Sequence, residues 1–162
     1  MPSYGPIVYS SGAHVALAEA DPETFAVCLR GYWVSHASGR LINPTIVEGQ
    51  IQGAVALGLE NALFAQIRHG AAGQRLDATL MDYALPRCDD IPPLTIDHLE
   101  TLSPLNPLGL KGVRESGTLP VPAVVASAME DALGVRVEEI PIKPAVLMPA
   151  SATGQRAGRD AA

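Results

Sequence analysis

The sequence predicts an α/β fold in which a mixed sheet forms one layer and helices form the other. Two segments with strand-like composition lie near the N terminus, and a long segment with apolar residues at helical spacing follows them. A further extended segment and a shorter helical one come later in the chain. The chain has 162 residues, of which 48% are hydrophobic, and this suits one domain with a substantial core.

The first two segments predict a β-hairpin. In AHVALAEAD, Val15 and Leu17 share one face of a strand. The alternate positions face the other way: His14, Ala16 and Ala18. Asp21 and Pro22 suit a tight turn, because proline favours the second position of a β-turn. The segment FAVCLRGYWVSH is rich in β-branched and aromatic residues, which is typical of a second strand.

The clearest predicted helix runs from about Pro44 to Gln66. Asn43 suits the N-cap, and a proline costs nothing at the first helical position because an N–H there would have no partner in the helix. An apolar stripe near helical spacing is formed by Ile46, Ile51, Val55, Leu59 and Leu63. This stripe predicts the side of the helix that packs on the sheet.

The predicted helix is interrupted by glycines at Gly49, Gly53 and Gly58. Each costs about 1 kcal/mol relative to alanine inside a helix. Glycines at this spacing bare one side of the helix, so that another group can come close. The spacing favours tight packing of the helix on the sheet, and the alternative is the close approach of a flat ligand.

The second half of the chain predicts shorter elements. The segment ATLMDYALPRCDDIPPLTIDHLE predicts extended segments separated by prolines. A short helix from about Ala123 to Leu133 follows, with Gly134 placed as its C′ residue, and VRVEEIPI predicts a last strand. The C-terminal residues are small and polar. We therefore expect a domain over residues 1–147 and a disordered tail over residues 148–162.

Composition excludes several classes of function. The net charge is −6 and aromatic residues make up 4% of the chain, which argues against a nucleic-acid surface and against a polybasic membrane patch. No segment has the pattern of a signal peptide or of a membrane-spanning helix. Cys28 and Cys88 lie far apart in the sequence without a metal-binding spacing. We interpret them as reduced thiols of a cytoplasmic protein.

The residues alone give weak evidence of chemistry. The histidines lie scattered without ligand spacing, so a structural or solvated role is expected for each of them: His14, His36, His69 and His98. Ser116 has no histidine near it in sequence. In KGVRESGT, Glu115 is the one acid and follows the two bases Lys111 and Arg114, in a segment with glycines on both sides. That pattern predicts a mobile loop, which is either an ordinary surface loop or one that carries Glu115 against a bound group.

Several segments resemble, in order, consecutive blocks of one family. They are AHVALAEADPET, GRLINPTIVEGQIQGAVALGLENALF, LMDYALPRCDDIPPLTIDHLET, SPLNPLGLKGVRESGT and PAVVASAMEDALGVRVEEIPI. They are similar to the molybdenum hydroxylases, the family of xanthine dehydrogenase, aldehyde oxidase and aerobic carbon monoxide dehydrogenase. The resemblance is to the C-terminal part of the large molybdopterin-binding subunit, and it runs from about residue 12 to about residue 147. The EGQ helix and the KGxxExGT segment are the most specific motifs.

The resemblance implies roles for individual residues. Glu115 corresponds to the general base that takes the proton of a molybdenum-bound hydroxyl. Gln50, with Gly49 and Gly112, corresponds to the cofactor-binding positions, and no residue is expected to ligate the metal directly. Arg114 stands where the family commonly has glycine, so it is a candidate for the substrate pocket. Alternatively, Arg114 faces outward.

The resemblance also implies a function for the chain. It would be part of a molybdenum hydroxylase that carries out oxidative hydroxylation of an aldehyde or an N-heterocycle. The cofactor would be molybdopterin, in its cytosine dinucleotide form, with [2Fe-2S] clusters and FAD on partner subunits. Because the family's large subunit is several times longer, we expect a larger molybdopterin-binding chain to complete the site. The chain begins at Met1, which suggests either a separately encoded subunit or a remnant; the alternative function is a non-catalytic assembly module.

Overall fold

A three-stranded mixed sheet forms one layer of the structure, a computed structural model that describes residues 8–152. Its strands are β1 (Ser11–Ala20), β2 (Val27–Ala37) and β3 (Leu94–His98). The central strand β2 pairs antiparallel with β1 and parallel with β3. The predicted hairpin and the mixed α/β fold are therefore confirmed.

The turn of the hairpin is built on Asp21. Its carboxylate oxygen Oδ1 accepts hydrogen bonds from the backbone N–H groups of Glu23 and Thr24, at 2.8 and 2.9 Å. The backbone N–H of Phe25 donates to the Asp21 carbonyl at 2.8 Å, and Phe25 takes a left-handed φ of 57°. An aspartate suits this place because its short side chain satisfies the N–H groups of a turn.

The helix α1 (Pro44–Leu59) shares one hydrophobic core with the inner face of the sheet and continues as one π-helical turn over Glu60–Phe64. The Asn43 side chain accepts from the backbone N–H of Ile46 at 3.2 Å, as its N-cap position predicts. The predicted stripe was wrong in its first member, because Ile46 is 61% exposed and Val47 is buried in its place. Val47 lies one turn before Ile51, whereas Ile46 is rotated away from that side.

Three further helices follow in the described part of the chain: α2 (Glu115–Thr118), α3 (Val121–Leu133) and α4 (Pro144–Ala152). The predicted end of α3 is correct, because Gly134 adopts a left-handed φ of 67° directly after Leu133. The helix α4 runs across the predicted start of the tail at residue 148. Residues 153–162 of the predicted tail lie outside the described part of the chain.

The predicted last strand is wrong, because residues 135–142 form no strand. The backbone N–H of Val137 donates to the Glu130 carboxylate at 2.9 Å, and that of Ile142 donates to the Ala62 carbonyl at 2.7 Å. These donors are used on helices and are not available to a sheet ladder. In the preceding extended region, residues 78–90 form turns and irregular backbone, and β3 is the strand that it contributes.

The core lies between the inner face of the sheet, α1 and α3. Its largest fully buried aliphatic and aromatic residues are Tyr32, Val34, Ile51, Val55, Leu59, Val121, Val125, Met129 and Leu147. Full burial of one such side chain contributes about 1.5–3 kcal/mol. The outer face of the sheet also carries apolar residues, since Val15, Leu17 and Trp33 are 59, 54 and 41% exposed. Within residues 8–152, no helix is long and apolar enough to cross a membrane.

Candidate functional site

The short helix α2 is docked on α1 through two glycines. Gly117 is buried, and a Cβ added there would lie 2.7 Å from the Cβ of Ala54. A Cβ added at Gly58 would lie 2.5 Å from the Cβ of Val121. The Thr118 hydroxyl donates to the Ala54 carbonyl at 3.1 Å. Gly58 therefore serves tight packing, although against α2 and α3 rather than against the sheet.

The other two glycines of α1 lie on an open side of the helix. Gly49 and Gly53 are exposed, and a Cβ added at either would meet no atom within 4 Å. Gln50 is exposed between them. It directly precedes Ile51, whose carbonyl oxygen lies 3.6 Å from the position of an added Cβ at Gly117. The turn of α1 that carries Gln50 thus adjoins α2 and is bare on its outer side.

The segment that leads into α2 is fixed to the end of β2. Gly39 and Leu110 form a β-bridge, and the backbone N–H of Lys111 donates to the carbonyl of Ser38 at 2.9 Å. A Cβ at Gly39 would lie 2.1 Å from the carbonyl oxygen of Gly109, so only glycine permits this approach. The segment is therefore anchored, and the predicted mobile loop is replaced by a tied segment and a short helix.

Glu115 is the first residue of α2, and its side chain is exposed. One carboxylate oxygen, Oε2, lies 3.9 Å from the position of an added Cβ at Gly112, which is also exposed. Arg114 precedes the helix, is exposed, and makes no side-chain cap to it. An exposed carboxylate on a fixed backbone can accept a proton from a group bound in front of it.

A buried histidine of β2 holds the backbone just before Glu115. The Nε2 atom of His36 lies 3.0 Å from the carbonyl oxygen of Val113 and also contacts the hydroxyl of Ser116. That hydroxyl donates to the same carbonyl at 3.1 Å. Because a carbonyl oxygen only accepts, we infer that Nε2 carries the proton of His36.

A histidine of β1 holds the backbone just after Glu115. The Nε2 atom of His14 lies 3.0 Å from the carbonyl oxygen of Ser116, and its Nδ1 lies 2.9 Å from the hydroxyl of Tyr32. By the same reasoning His14 donates from Nε2 and accepts at Nδ1 from the Tyr32 hydroxyl. Tyr32 is fully buried, and burial raises the pKa of its hydroxyl.

Burial also favours the neutral form of both histidines. Desolvation is the main cause that lowers the pKa of His14, although its hydrogen bond to Ser116 acts in the opposite sense. Desolvation likewise lowers the pKa of His36, and the nearby charge of His98 adds to this effect. The Nδ1 atom of His36, the hydroxyl of Ser38 and both ring nitrogens of His98 are buried without a hydrogen-bond partner among residues 8–148. Glu48 is 3.9 Å from His98, which is too long for a hydrogen bond.

Sequence reasoning missed this arrangement around Ser116. A structural or solvated role was expected for His14 and for His36 singly, and no histidine lies near Ser116 in sequence, so the contacts between them were not predicted. The pairing of Gly12 with His36 and of His14 with Val34 places the two histidines diagonally on the inner face of the hairpin. The available signal was that His14 falls on the inward positions of its strand. In the part of the chain that the structure describes, no group of three or more His, Cys, Asp and Glu residues is placed to hold a metal.

Comparisons with known proteins bear on the same segments. The family model described as a molybdopterin cofactor-binding domain matches residues 2–92. The large subunit of nicotine 6-hydroxylase from Paenarthrobacter nicotinovorans is 39% identical over 85% of the chain, which spans 17% of that protein. The carbon monoxide dehydrogenase large chain of Hydrogenophaga pseudoflava is 37% identical over 69% of the chain, or 14% of its own length. The chain thus spans less than a fifth of these relatives.

Solved structures show the same likeness. The crystal structure of quinoline 2-oxidoreductase from Pseudomonas putida 86 superposes with a TM-score of 0.83 and 39% identity, over 87% of the chain and 18% of that protein. A structure of the Cu,Mo-containing carbon monoxide dehydrogenase gives a TM-score of 0.80 and 29% identity, over 88% of the chain and 18% of that protein. In both, the similar region is a small part of a much longer chain.

Proposed function

Because the chain belongs to the molybdopterin cofactor-binding domain of the molybdenum hydroxylases, we propose that Glu115 is the general base of an oxidoreductase site. We propose also that Gln50, with Gly49 and Gly112, belongs to the cofactor pocket of that site. The observation that carries this proposal is the direct packing of the helices of the two motifs. Gly117 meets Ala54 there, while Glu115 and Gln50 stay exposed.

The residues at this place fit a flat pterin. The bare side of α1 around Gly49 and Gly53 offers room for a ring system at the helix surface, because no side chain projects there. The exposed amide of Gln50 can both donate and accept hydrogen bonds, as the polar edge of a pterin requires. Gly112 is exposed beside the Glu115 carboxylate, and a Cβ added there would lie 3.9 Å from Oε2 of Glu115.

In the proposed reaction, the bound molybdenum cofactor supplies the oxidation of the substrate carbon. This chain would supply the proton acceptor. A carboxylate oxygen of Glu115 would take up the proton released as the new carbon–oxygen bond forms. General-base catalysis of this kind contributes about 10²- to 10⁴-fold in rate. Arg114 adjoins Glu115 and is exposed, so it either contacts a polar or anionic part of the substrate or points away from it.

The substrate class and the partners are part of the proposal. Relatives named for nicotine and quinoline support an N-heterocycle, and relatives named aldehyde oxidoreductase support an aldehyde. Because the chain spans 17% of the nicotine 6-hydroxylase large subunit, a larger molybdopterin-binding chain would complete the site. The cytosine dinucleotide form of the cofactor, and iron–sulfur and FAD subunits, complete the proposal. Residues 1–147 would form the cofactor-binding domain.

The test compares Glu115→Gln with the parent in the assembled complex. The amide keeps the shape of the side chain but does not take up a proton, so turnover should fall by about 100-fold or more at equal molybdenum content. The matched control is Glu139→Gln, which changes an exposed glutamate beyond α3. Steady-state turnover and molybdenum content are measured on the same samples.

Equal turnover of Glu115→Gln and the parent would refute the base assignment. Gln50→Ala tests the pocket separately, because it should lower molybdenum content before it lowers turnover per molybdenum. If the chain purifies from its native source with a larger chain that is active without it, the assembly-module alternative holds.

A further inference from the structure

We propose that His14 and His36 are positioning residues for Glu115, resting on the proposed role of that residue as the base. Their ring N–H groups hold the backbone carbonyls on either side of the Arg114–Glu115 dipeptide, so that the hairpin fixes the direction in which the carboxylate leaves α2.

The contacts bracket Glu115 closely. His36 holds the carbonyl of Val113 at 3.0 Å, and His14 holds the carbonyl of Ser116 at 3.0 Å. The Ser116 hydroxyl links these two contacts, because it contacts Nε2 of His36 and donates to the carbonyl oxygen of Val113 at 3.1 Å. The backbone on both sides of the carboxylate is therefore tied to the sheet.

The anchor points belong to a well-fixed part of the molecule. His36 lies on the central strand β2 and is fully buried. His14 lies on the paired strand β1, and the hydroxyl of the fully buried Tyr32 holds its second ring nitrogen at 2.9 Å. The side chain of Tyr32 meets the His14 ring edge to face, with centroids 5.7 Å apart. Neither ring can turn without losing one of these hydrogen bonds.

The helix that carries Glu115 needs such support. It has four residues, and so short a helix does not hold itself in water, because helix nucleation is unfavourable. Its C-terminal half is held on α1 by Gly117 and Thr118. Its N-terminal half, where Glu115 lies, is held by the two histidines. Loss of the histidine bonds should therefore loosen the base while α2 stays docked.

The anchors work in their neutral form. His14 has to accept from Tyr32 at Nδ1, and a proton on Nδ1 of His36 would find no acceptor among the described residues. Other titratable groups around the pair are His98 next to His36, Glu48 at 3.9 Å from His98, and Asp131 of α3, which lines the same surface depression as His14. When the pH is lowered, protonation of His14 and His36 should therefore be the first event that weakens the contacts holding the Glu115 segment.

The experiment removes each anchoring N–H with His14→Leu and His36→Leu in the full chain, in the assembled state in which it is purified. Hydrogen exchange is measured at the N–H groups of Gly117 and Leu119, which bond to Arg114 and Glu115, with the N–H of Val124 in α3 as the reference. We expect exchange in α2 to rise about threefold to tenfold and the reference to stay unchanged. His14→Gln and His36→Gln keep an N–H within reach and should restore most of the protection.

The controls separate anchoring from general damage. His69→Leu changes an exposed histidine away from the site and should leave exchange unaltered. Tyr32→Phe removes one hydroxyl and keeps the ring in the core, so it tests the His14 anchor even if the leucine variants fail to fold. In the molybdenum-loaded complex, the leucine variants should lower kcat about tenfold to a hundredfold while KM changes less than twofold.

Two results would overturn the inference. One is unchanged exchange in α2 for the leucine variants, or for Tyr32→Phe where those do not fold. The other is a loss of protection that spreads equally to the Val124 reference and is not restored by glutamine. Both leave the proposed base intact if Glu115→Gln still abolishes turnover. Altered exchange beside a fully active Glu115→Gln would instead refute the proposed function and, with it, the catalytic purpose of the anchors.

Discussion

The two halves of α1 use the same residue type for opposite purposes. In the C-terminal half, Gly58 removes a side chain so that Val121 can come within 2.5 Å of where its Cβ would be. In the N-terminal half, Gly49 and Gly53 remove side chains from a surface that nothing in the described chain touches. A glycine in a helix costs about 1 kcal/mol in either place. Among residues 8–152, a packing contact offsets this cost at Gly58, whereas no described residue lies close to the open side at Gly49 and Gly53.

The largest effect on the free energy of unfolding is expected from a substitution in the packed C-terminal half of α1. Gly58→Ala places a methyl group against Val121 and at 2.9 Å from the carbonyl oxygen of Thr118. Overpacking of this kind costs about 1–3 kcal/mol, which equals or exceeds the gain of about 1 kcal/mol in helix propensity. We expect a lower free energy of unfolding, measured by denaturant titration of the full chain. A higher free energy of unfolding for Gly58→Ala would contradict this prediction and show that Val121 can move to accommodate the methyl group.

Lowering the pH should have an intermediate effect on the free energy of unfolding. The effect arises where α2 packs on the sheet, at His14 and His36. The pKa values of His14 and His36 are lowered from 6.5 by burial. Between the lowered values and 6.5 the unfolded chain binds more protons than the folded one. The free energy of unfolding should therefore fall as the pH drops through about 6.5 and level off below the lowered pKa values.

The pH effect is checked by thermal unfolding between pH 7.5 and 5.5. His36→Gln lacks one titrating group and should flatten part of the fall in Tm. A Tm that rises on acidification over this range would contradict the burial of neutral histidines.

The smallest effect on the free energy of unfolding is expected from a substitution in the open N-terminal half of α1. Gly53→Ala makes the same chemical change as Gly58→Ala, but its methyl group meets nothing within 4 Å. The free energy of unfolding should rise by up to about 1 kcal/mol. Retention of molybdenum by the assembled complex should fall if the bare side lies against the cofactor. A neutral effect on both measurements would remove the distinction between the two halves.

Much of the fold could be predicted because its signals are local. Asn43 and the proline after it mark the start of α1, Asp21 marks the hairpin turn, and Gly134 ends α3. The failed prediction of a strand over residues 135–142 has a tertiary cause, since Glu130 and Ala62 take its backbone donors. Neither partner can be identified before the helices are packed.

The candidate site likewise contains residues that the sequence indicated and residues that only the tertiary contacts reveal. Glu115 and Gln50 stood out through their motifs, because a resemblance needs no knowledge of contacts. The anchors did not, since His14 and His36 lie 102 and 80 residues from Ser116 in sequence. A single histidine in an apolar strand carries no sign of the carbonyl that it will meet. The orientation of Glu115 therefore became visible only with the strand register.

Trp33 has a consequence for how this protein can be followed in solution. It is the only tryptophan of the chain, and it lies on the outer face of the sheet with its ring over Gly31, where an added Cβ would come within 2.6 Å. Its indole is partly in water and lies on the opposite face of the sheet from the two histidines. Its fluorescence should therefore shift to the blue when another chain covers the outer face, and stay constant when only the site changes. The binding of a partner without tryptophan to this face can thus be followed by emission, without a label.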